Sequence, residues 1–185
     1  MALRRATRPG GFAGWRWEIL GRVQGQVLEI GCGSGLNFEH YPAGLAVTAF
    51  EPDAARLHTA AGRRAPIDLA RADAQHLAWP ARSFDSVLGT LVFCSIPDPA
   101  QALSEVRRVL RPGGRLYLLE HVRSHQAWLG QLQDWLAPVW CWGTGGCNLN
   151  RDTEATVRAA GFEIERLRSG YGGLLKLIIA KPRMV

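Results

Sequence analysis

The sequence predicts an α/β protein with an open, mostly parallel sheet and helices on both faces. The first reason is that seven short apolar segments alternate with amphipathic helical segments along most of the chain. The second is that about six residues separate the last two apolar segments. Parallel strands need a crossover of a dozen or more residues, so this last pair is predicted to be antiparallel.

The first five predicted strands are short and apolar, as is typical of strands covered on both faces of a parallel sheet. They are predicted over residues 26–30, 45–50, 66–71, 84–91 and 114–119. Two helices are predicted between them. Residues 53–61 begin with the capping residue Asp53 and continue in an alanine-rich run. Residues 99–110 place apolar side chains at three- and four-residue steps, before a Pro-Gly-Gly stop signal.

The last third of the chain is predicted to contain helices, a loop and the antiparallel pair. Residues 126–137 carry Trp and Leu on one side and predict a helix. Residues 138–150 are rich in Gly, Trp and Cys and predict a loop. A short helix is predicted over 153–160, followed by strands over 162–167 and 174–180.

Composition excludes several classes of protein. The chain has 185 residues, of which 47% are hydrophobic and 21% charged, which predicts one compact domain. No run approaches the ~20 apolar residues of a membrane-spanning helix. Four scattered cysteines without a CxxC pair favour reduced thiols in the cytoplasm, and no metal site is predicted. The net charge of +6 comes from dispersed arginines, so nucleic acid is an unlikely partner.

A glycine-rich turn after the first strand is the strongest functional signal. It contains Gly31, Gly33 and Gly35, at the strand end where open α/β sheets bind ligands. Glu51 ends the second strand, 20 residues after the first glycine, where an acid accepts hydrogen bonds from a ribose. Asp73 follows the third strand and is predicted to accept a hydrogen bond from an adenine amino group.

The same segment discriminates between adenosine cofactors. A dinucleotide fingerprint needs a third glycine where this chain has Leu36, and no phosphate-binding loop with Gly-Lys-Ser/Thr is present. Glu29 lies two residues before the first glycine. Its carboxylate would repel a pyrophosphate and attract a cofactor that carries an ammonium and a sulfonium.

These motifs together resemble those of class I S-adenosylmethionine-dependent methyltransferases, of the type 11-like group. The resemblance rests on Glu29-x-Gly-x-Gly-x-Gly35, Glu51, Ala72-Asp-Ala74, Phe84-Asp85 and Leu110-Arg-Pro-Gly-Gly114. It implies a Rossmann-like, seven-stranded sheet with an antiparallel last strand, and S-adenosylmethionine as the cofactor with S-adenosylhomocysteine as the product. It implies these cofactor-binding residues: Glu29, Gly31, Cys32, Gly33, Gly35, Asn37, Glu51, Pro52, Asp73, Ala74, Thr90 and Leu91.

A narrower resemblance concerns the acceptor. Residues 37–42, 91–95, 120–122 and 146–151 resemble those of thiol S-methyltransferases of animal cells and their short bacterial relatives. The resemblance implies a substrate pocket that contains Phe93, Cys94, His121, Cys147 and Asn148. No catalytic residue is assigned, because a free thiol is already partly ionised at neutral pH and needs no obligatory base.

The sequence therefore favours methyl transfer to a small molecule, with a thiol or hydrosulfide as the leading acceptor. Alternatives are C-, O- or N-methylation of a quinone, lipid or other metabolite, a non-catalytic cofactor-binding module that needs a partner, and an RNA methyltransferase. One domain is predicted, with a possible lid in residues 1–25, a cofactor-binding half in 26–121 and a substrate side in 122–185. The crowded tryptophans after residue 126 predict either packing on the sheet or peripheral membrane contact. The oligomeric state is not predicted.

Overall fold

The computed structural model describes residues 11–63 and 65–183, which form a sheet with helices on both faces. The strands are β1 (Gln26–Ile30), β2 (Ala46–Phe50), β3 (Ile67–Ala70), β4 (Phe84–Thr90), β5 (Leu110–His121), β6 (Phe162–Gly170) and β7 (Leu175–Pro182). The helices are α1 (Gly11–Leu20), α2 (Ala54–Ala61), α3 (Pro99–Val109), α4 (Ala127–Thr144) and α5 (Thr153–Ala159).

The seven strands follow the order β3-β2-β1-β4-β5-β7-β6. The first five strands pair in parallel, whereas β7 is antiparallel to both of its neighbours, β5 and β6. This topology confirms the predicted fold class, including the antiparallel pair that the short connection implied.

Strand alternation divides the core between the two faces of the sheet. On β1, Leu28 and Ile30 join the cluster that contains α3 and α5, while Val27 joins the cluster that contains α1. Successive strand side chains point to opposite faces, so this division follows directly from the sequence. A smaller cluster joins Ala60 of α2 to Ala49 of β2.

The boundary between α3 and β5 differs from the predicted one. The helix ends at Val109, and the strand begins at the next residue rather than at residue 114. The strand starts early because Leu110 already pairs with Phe84, across a register irregularity that precedes the pairing of Ser86 with Arg115. The Pro-Gly-Gly signal therefore marks an irregular strand start and not a loop.

The predicted loop over residues 138–150 is wrong for its first half. Helix α4 continues through Pro138 to Thr144, and Gly145 ends it with a left-handed φ of 72°. Proline removes one main-chain hydrogen bond from a helix, and a long helix can continue past that loss. The prediction failed because Pro and Gly are local breaker signals that carry no information on the helix around them.

Candidate active site

The glycine turn after β1 needs backbone conformations that favour glycine. Gly31, Gly33 and Gly35 have φ values of 60°, 56° and 76°. A Cβ atom on Gly31 would lie 2.3 Å from Cγ2 of Val92, so the turn packs directly against the segment after β4. Around Gly33, no atom of the described residues lies within 4 Å of that position, so its backbone faces an open space.

Glu51 holds the glycine turn against the start of α2. Its carboxylate accepts hydrogen bonds from the backbone N–H of Gly33 at 2.9 Å and of Asp53 at 3.2 Å. The side chain is buried at the end of β2. A carboxylate has about four acceptor positions, so this arrangement leaves capacity for ligand hydroxyl groups.

A cleft with two adjoining compartments follows the carboxyl ends of β1, β2 and β4. The first compartment has a volume of about 290 Å³ and is lined by Glu51, Pro52, Asp73 and Ala74, among others. Asp73 is exposed there, and its carboxylate accepts a hydrogen bond from the backbone N–H of Gln75 at 2.9 Å. With Asp53, which also lines it, this compartment presents three carboxylates together with apolar residues.

The second compartment has a volume of about 300 Å³ and lies over the glycine turn. Arg16, Gly33, Asn37 and Thr90 contribute to its lining. Both compartments share Gly31, Arg56 and Leu91 as lining residues. The cleft is thus elongated, with a nucleoside-sized end beside Asp73 and a polar end beside Asn37.

Glu29 lies beneath the polar end of the cleft and is 1% exposed. Its two oxygens accept hydrogen bonds from Asn37 Nδ2 at 2.7 Å and from the Tyr41 hydroxyl at 2.6 Å. Burial raises the pKa of Glu29 to about 7, although these two hydrogen bonds oppose the shift. Asn37 continues the network, because its Oδ1 accepts a hydrogen bond from Arg16 at 2.9 Å.

Leu91 closes the end of β4 in a strained conformation. Its φ is 54°, a region that non-glycine residues rarely occupy, and its N–H donates to the carbonyl of Leu119 at 2.8 Å. Strained residues of this kind cluster at ligand sites, where the surrounding structure holds them. Here the strained residue lines both compartments of the cleft.

Three sulfur and nitrogen ligand atoms converge beside the cleft. The donor atoms of Cys94, His121 and Cys147 all lie within 4.8 Å of one another. His121 Nε2 is 2.9 Å from Cys147 Sγ, and burial lowers the pKa of His121, so its imidazole is neutral at neutral pH. Asn148 fixes this arrangement by donating its backbone and side-chain N–H groups to the Cys94 carbonyl, at 2.9 and 3.1 Å.

The structure thus brings most of the predicted site residues together. Seven of them line neither compartment of the cleft: Glu29, Gly35, Phe93, Cys94, His121, Cys147 and Asn148. Phe93 is completely buried in the hydrophobic core, and Gly35 packs against Phe38 inside the turn rather than along the cleft. The remaining predicted pocket residues, Cys94, His121, Cys147 and Asn148, form one connected group.

Sequence reasoning did not identify three residues of the site. Arg16 and Arg56 line the cleft, and Tyr41 donates to Glu29. The helix pattern of residues 53–61 was a usable signal for Arg56, because it placed this residue one turn into the helix that follows Glu51. Arg16 reaches the cleft only because α1 packs on the sheet, which no local pattern records.

Comparison with known proteins agrees with this geometry. Residues 28–118 match a family model described as a methyltransferase domain. Thiol S-methyltransferase TMT1B of Homo sapiens is 38% identical over 150 residues, which cover 74% of this chain and 59% of the human protein. Demethylmenaquinone methyltransferase of Renibacterium salmoninarum is 36% identical over 105 residues, which cover 56% of this chain and 44% of that protein.

Among solved structures, an S-adenosylmethionine-dependent methyltransferase from Thermotoga maritima superposes with a TM-score of 0.69 at 21% identity. The match covers 91% of this chain and 87% of that protein. The fold is therefore that of the class I methyltransferases. Residues 28–118 are a methyltransferase domain, and the chain is similar to the TMT1 thiol S-methyltransferases, spanning about three fifths of the human relative's length.

Proposed function

We propose that this chain transfers the methyl group of S-adenosylmethionine to the sulfur of a small thiol or of hydrosulfide. The observation that carries the proposal is the two-compartment cleft over the glycine turn. One end of the cleft is nucleoside-sized and lies beside Asp73, and the other is polar and lies beside Asn37. The two halves of this cofactor differ in the same way, since one is a nucleoside and the other a charged amino acid.

The chemistry of the two compartments favours one direction for the cofactor in the cleft. With the adenosine beside Glu51 and Asp73, the ribose hydroxyls and the adenine amino group meet carboxylate acceptors. The methionine half then lies over Gly33, beside Asn37. Its ammonium and sulfonium charges lie above the buried Glu29 carboxyl, which favours the ionised form of that group.

The acceptor side favours a thiol. Methyl transfer from a sulfonium is an in-line displacement, for which the protein supplies orientation and electrostatics. A thiol with a pKa near ~8.5 is already a few per cent thiolate at neutral pH, so a strong base is not required. The neutral imidazole of His121 lies beside the cleft and can accept the thiol proton or orient the sulfur.

Cofactor binding is tested by calorimetry with S-adenosylmethionine. Glu51→Ala should weaken binding by about 10-fold or more, because it removes a charged acceptor worth ~1.5–3 kcal/mol. Asp73→Ala should weaken it less, because that carboxylate is exposed. Asp68→Ala, an exposed β3 residue away from the cleft, is the matched control and should bind as the parent does. Unchanged affinity for both cleft variants would refute the placement.

The acceptor is tested with methyl-labelled cofactor and a panel of alkyl thiols, hydrosulfide, a quinol, an amine and RNA. Methylation of thiols or hydrosulfide with little transfer to the rest supports the proposal. Transfer confined to the quinol, the amine or RNA contradicts the acceptor assignment. Cofactor binding without transfer to any of them, alone or with cell extract, would favour a non-catalytic module.

Peripheral membrane contact is a second proposal, and one surface supports it. Helix α4 presents an exposed apolar stripe at alternating steps of four and three residues, which places its members on one helix face. This α4 stripe consists of Trp128, Leu132, Trp135, Val139 and Trp142, which are 66%, 43%, 77%, 70% and 88% exposed. Tryptophan favours membrane interfaces, and an acceptor dissolved in a bilayer, such as a quinone, would be reached there.

We also propose that the N-terminal region covers the methionine end of the cleft. Helix α1 packs on the sheet through Trp15, Ile19 and Leu20, which leaves Arg16 to line the second compartment. The predicted lid over residues 1–25 includes residues 1–10, which lie outside the described residues. Within the described ranges, no helix is long and apolar enough to cross a bilayer.

A further inference from the structure

We propose that Cys94, His121 and Cys147 bind a thiophilic divalent cation, with Zn²⁺ as the expected ion. The three residues come from separate segments: the turn after β4, the end of β5 and the segment after α4. Their ligand atoms nevertheless lie within 4.8 Å of one another. Two thiolates and one imidazole are a donor set that Zn²⁺ prefers.

The spacing fits a tetrahedral ion after a small adjustment. Bond lengths of about 2.3 Å to sulfur and about 2.05 Å to nitrogen place tetrahedral sulfur and nitrogen ligands ~3.6 Å apart, and two sulfurs ~3.8 Å apart. His121 Nε2 and Cys147 Sγ are now 2.9 Å apart, as hydrogen-bonded groups. Binding therefore needs these two atoms to separate by about 0.7 Å.

The backbone around the cluster is already fixed. The Cys94 carbonyl accepts two hydrogen bonds from Asn148, which ties the turn after β4 to the segment that carries Cys147. Arg151 donates to the carbonyls of Phe93 and Ile96, on either side of the same turn. The ligand-bearing segments are therefore held together by contacts that do not use the ligand atoms.

An unpaired buried oxygen next to the cluster favours a cation there. Glu120 is completely buried, and its Oε1 accepts backbone N–H groups of Val92 and Phe93. Its Oε2 has no hydrogen-bond partner among the described residues. A buried oxygen without a partner is costly, and a nearby divalent cation would compensate for it.

Three protein ligands leave one position of a tetrahedral ion open, as in catalytic zinc sites. Ser95 and Gly145, each within two residues of a cysteine ligand, line the compartment that contains Glu51 and Asp73, so the cluster lies beside the cleft. The open position would take the acceptor sulfur, and this step rests on the proposed function. With His121 bound to the ion, this residue would no longer accept the thiol proton, which would pass to solvent when the thiol binds. The thiol sulfur would then bond to the methyl carbon as the carbon–sulfonium electron pair returns to the cofactor sulfur.

The site is tested with tag-free protein reduced by a phosphine, titrated with Co²⁺ and then with Zn²⁺. We expect one equivalent of Co²⁺ with thiolate-to-metal charge-transfer absorption, displaced by Zn²⁺ at a 1:1 ratio. Cys147→Ser and Cys94→Ser should each weaken binding at least about 100-fold, because loss of a ligand exceeds loss of an outer partner. Cys141→Ser, a half-buried cysteine outside the cluster, is the matched control and should bind as the parent does.

Two outcomes would overturn the proposal. One is that the reduced parent protein does not bind Co²⁺ near one equivalent. This outcome would count against the metal site even if the two cysteines form a disulfide when the protein is exposed to air. The other is binding that survives in Cys147→Ser, a substitution at a half-buried position outside the hydrophobic core. Calorimetry with S-adenosylmethionine on metal-free protein is a separate readout, so failure of the metal site and failure of the proposed function remain distinguishable.

Discussion

Glu29 shows how one buried carboxyl can serve both the fold and the cofactor. Its oxygens accept hydrogen bonds from Asn37 and Tyr41, yet burial still raises its pKa to about 7. A cationic ligand above Asn37 would favour the ionised form. Proton release from Glu29 is therefore expected to accompany cofactor binding at neutral or mildly acidic pH.

This coupling predicts a pH dependence of cofactor affinity. Between pH 5.5 and 7.5, S-adenosylmethionine should bind up to about 10-fold more tightly as Glu29 becomes ionised in the free protein. Calorimetry across this range measures the effect, and Glu29→Gln should remove it. The variant also controls for any titration of the ligand itself. Parallel pH profiles for both proteins would contradict the role of Glu29.

The glycine turn predicts two different consequences of adding one methyl group. Gly31→Ala brings Cβ to 2.3 Å from Val92 at a φ of 60°, so it should lower the free energy of unfolding by ~1–3 kcal/mol. Gly33→Ala meets open space and adds only conformational strain, so its main effect should be weaker cofactor binding. Chemical denaturation and calorimetry separate the two effects; equal unfolding midpoints for both variants would contradict the packing argument.

At the scale of elements, α4 differs from the other long helix in what it buries. Helix α3 places Ala102, Leu103, Val106 and Val109 in the core. Helix α4 buries only Gly130 and Gln133 and leaves the α4 stripe exposed. Its attachment is largely polar, since Gln133 bonds to the backbone of Val122, Ser124 and Leu149.

The exposed stripe predicts a loss of membrane binding without a loss of stability. Trp135→Ser with Trp142→Ser should reduce sedimentation with phosphatidylcholine–phosphatidylglycerol vesicles several-fold, because both side chains are mostly exposed and apolar. The melting temperature should stay within about 2 °C of the parent, as for exposed substitutions. Trp17→Ser, an exposed tryptophan on α1, is the matched control. Equal vesicle binding by all three proteins would exclude the stripe as a membrane contact.

For the whole molecule, two buried carboxyls make stability fall as the pH rises. Burial raises the pKa values of Glu29 and Glu120 to about 7, from 4.5 in the unfolded chain. The folded protein therefore binds more protons than the unfolded chain between these values. The stabilising contribution is complete below pH 4.5 and is lost as the pH approaches and passes 7.

Urea denaturation from pH 5 to 8 tests this dependence. Each carboxyl should lower the free energy of unfolding by on the order of 3 kcal/mol as the pH rises from its unfolded pKa to beyond its folded pKa. Glu29→Gln should remove the contribution of Glu29. The free energy of unfolding of the parent minus that of the variant should therefore fall as the pH rises. A pH-independent difference between parent and Glu29→Gln would show that Glu29 titrates normally in the folded protein.

Local patterns were sufficient to predict the fold, and most of the residues predicted to bind the cofactor line the cleft. Strand alternation placed Val27 and Leu28 on opposite faces, and the short connection made β6 and β7 antiparallel. Gly31 and Glu51 were predictable because parallel strands end at one edge, so residues that follow successive strands must be neighbours. These features depend on residues close in sequence or on a simple rule of topology.

Only the tertiary structure decided the contacts between distant segments. The sequence predicted no metal site, because the spacing of Cys94, His121 and Cys147 is not that of metal ligands. The three side chains meet because the ends of β4 and β5 lie next to the segment after α4. Phe93 was predicted to line the pocket and is buried, because its ring packs into the hydrophobic core with residues of α3 and β5. The sequence by itself determined the sheet and the glycine turn through short-range periodicity, whereas packing of whole elements determined which side chains converge beside the cleft.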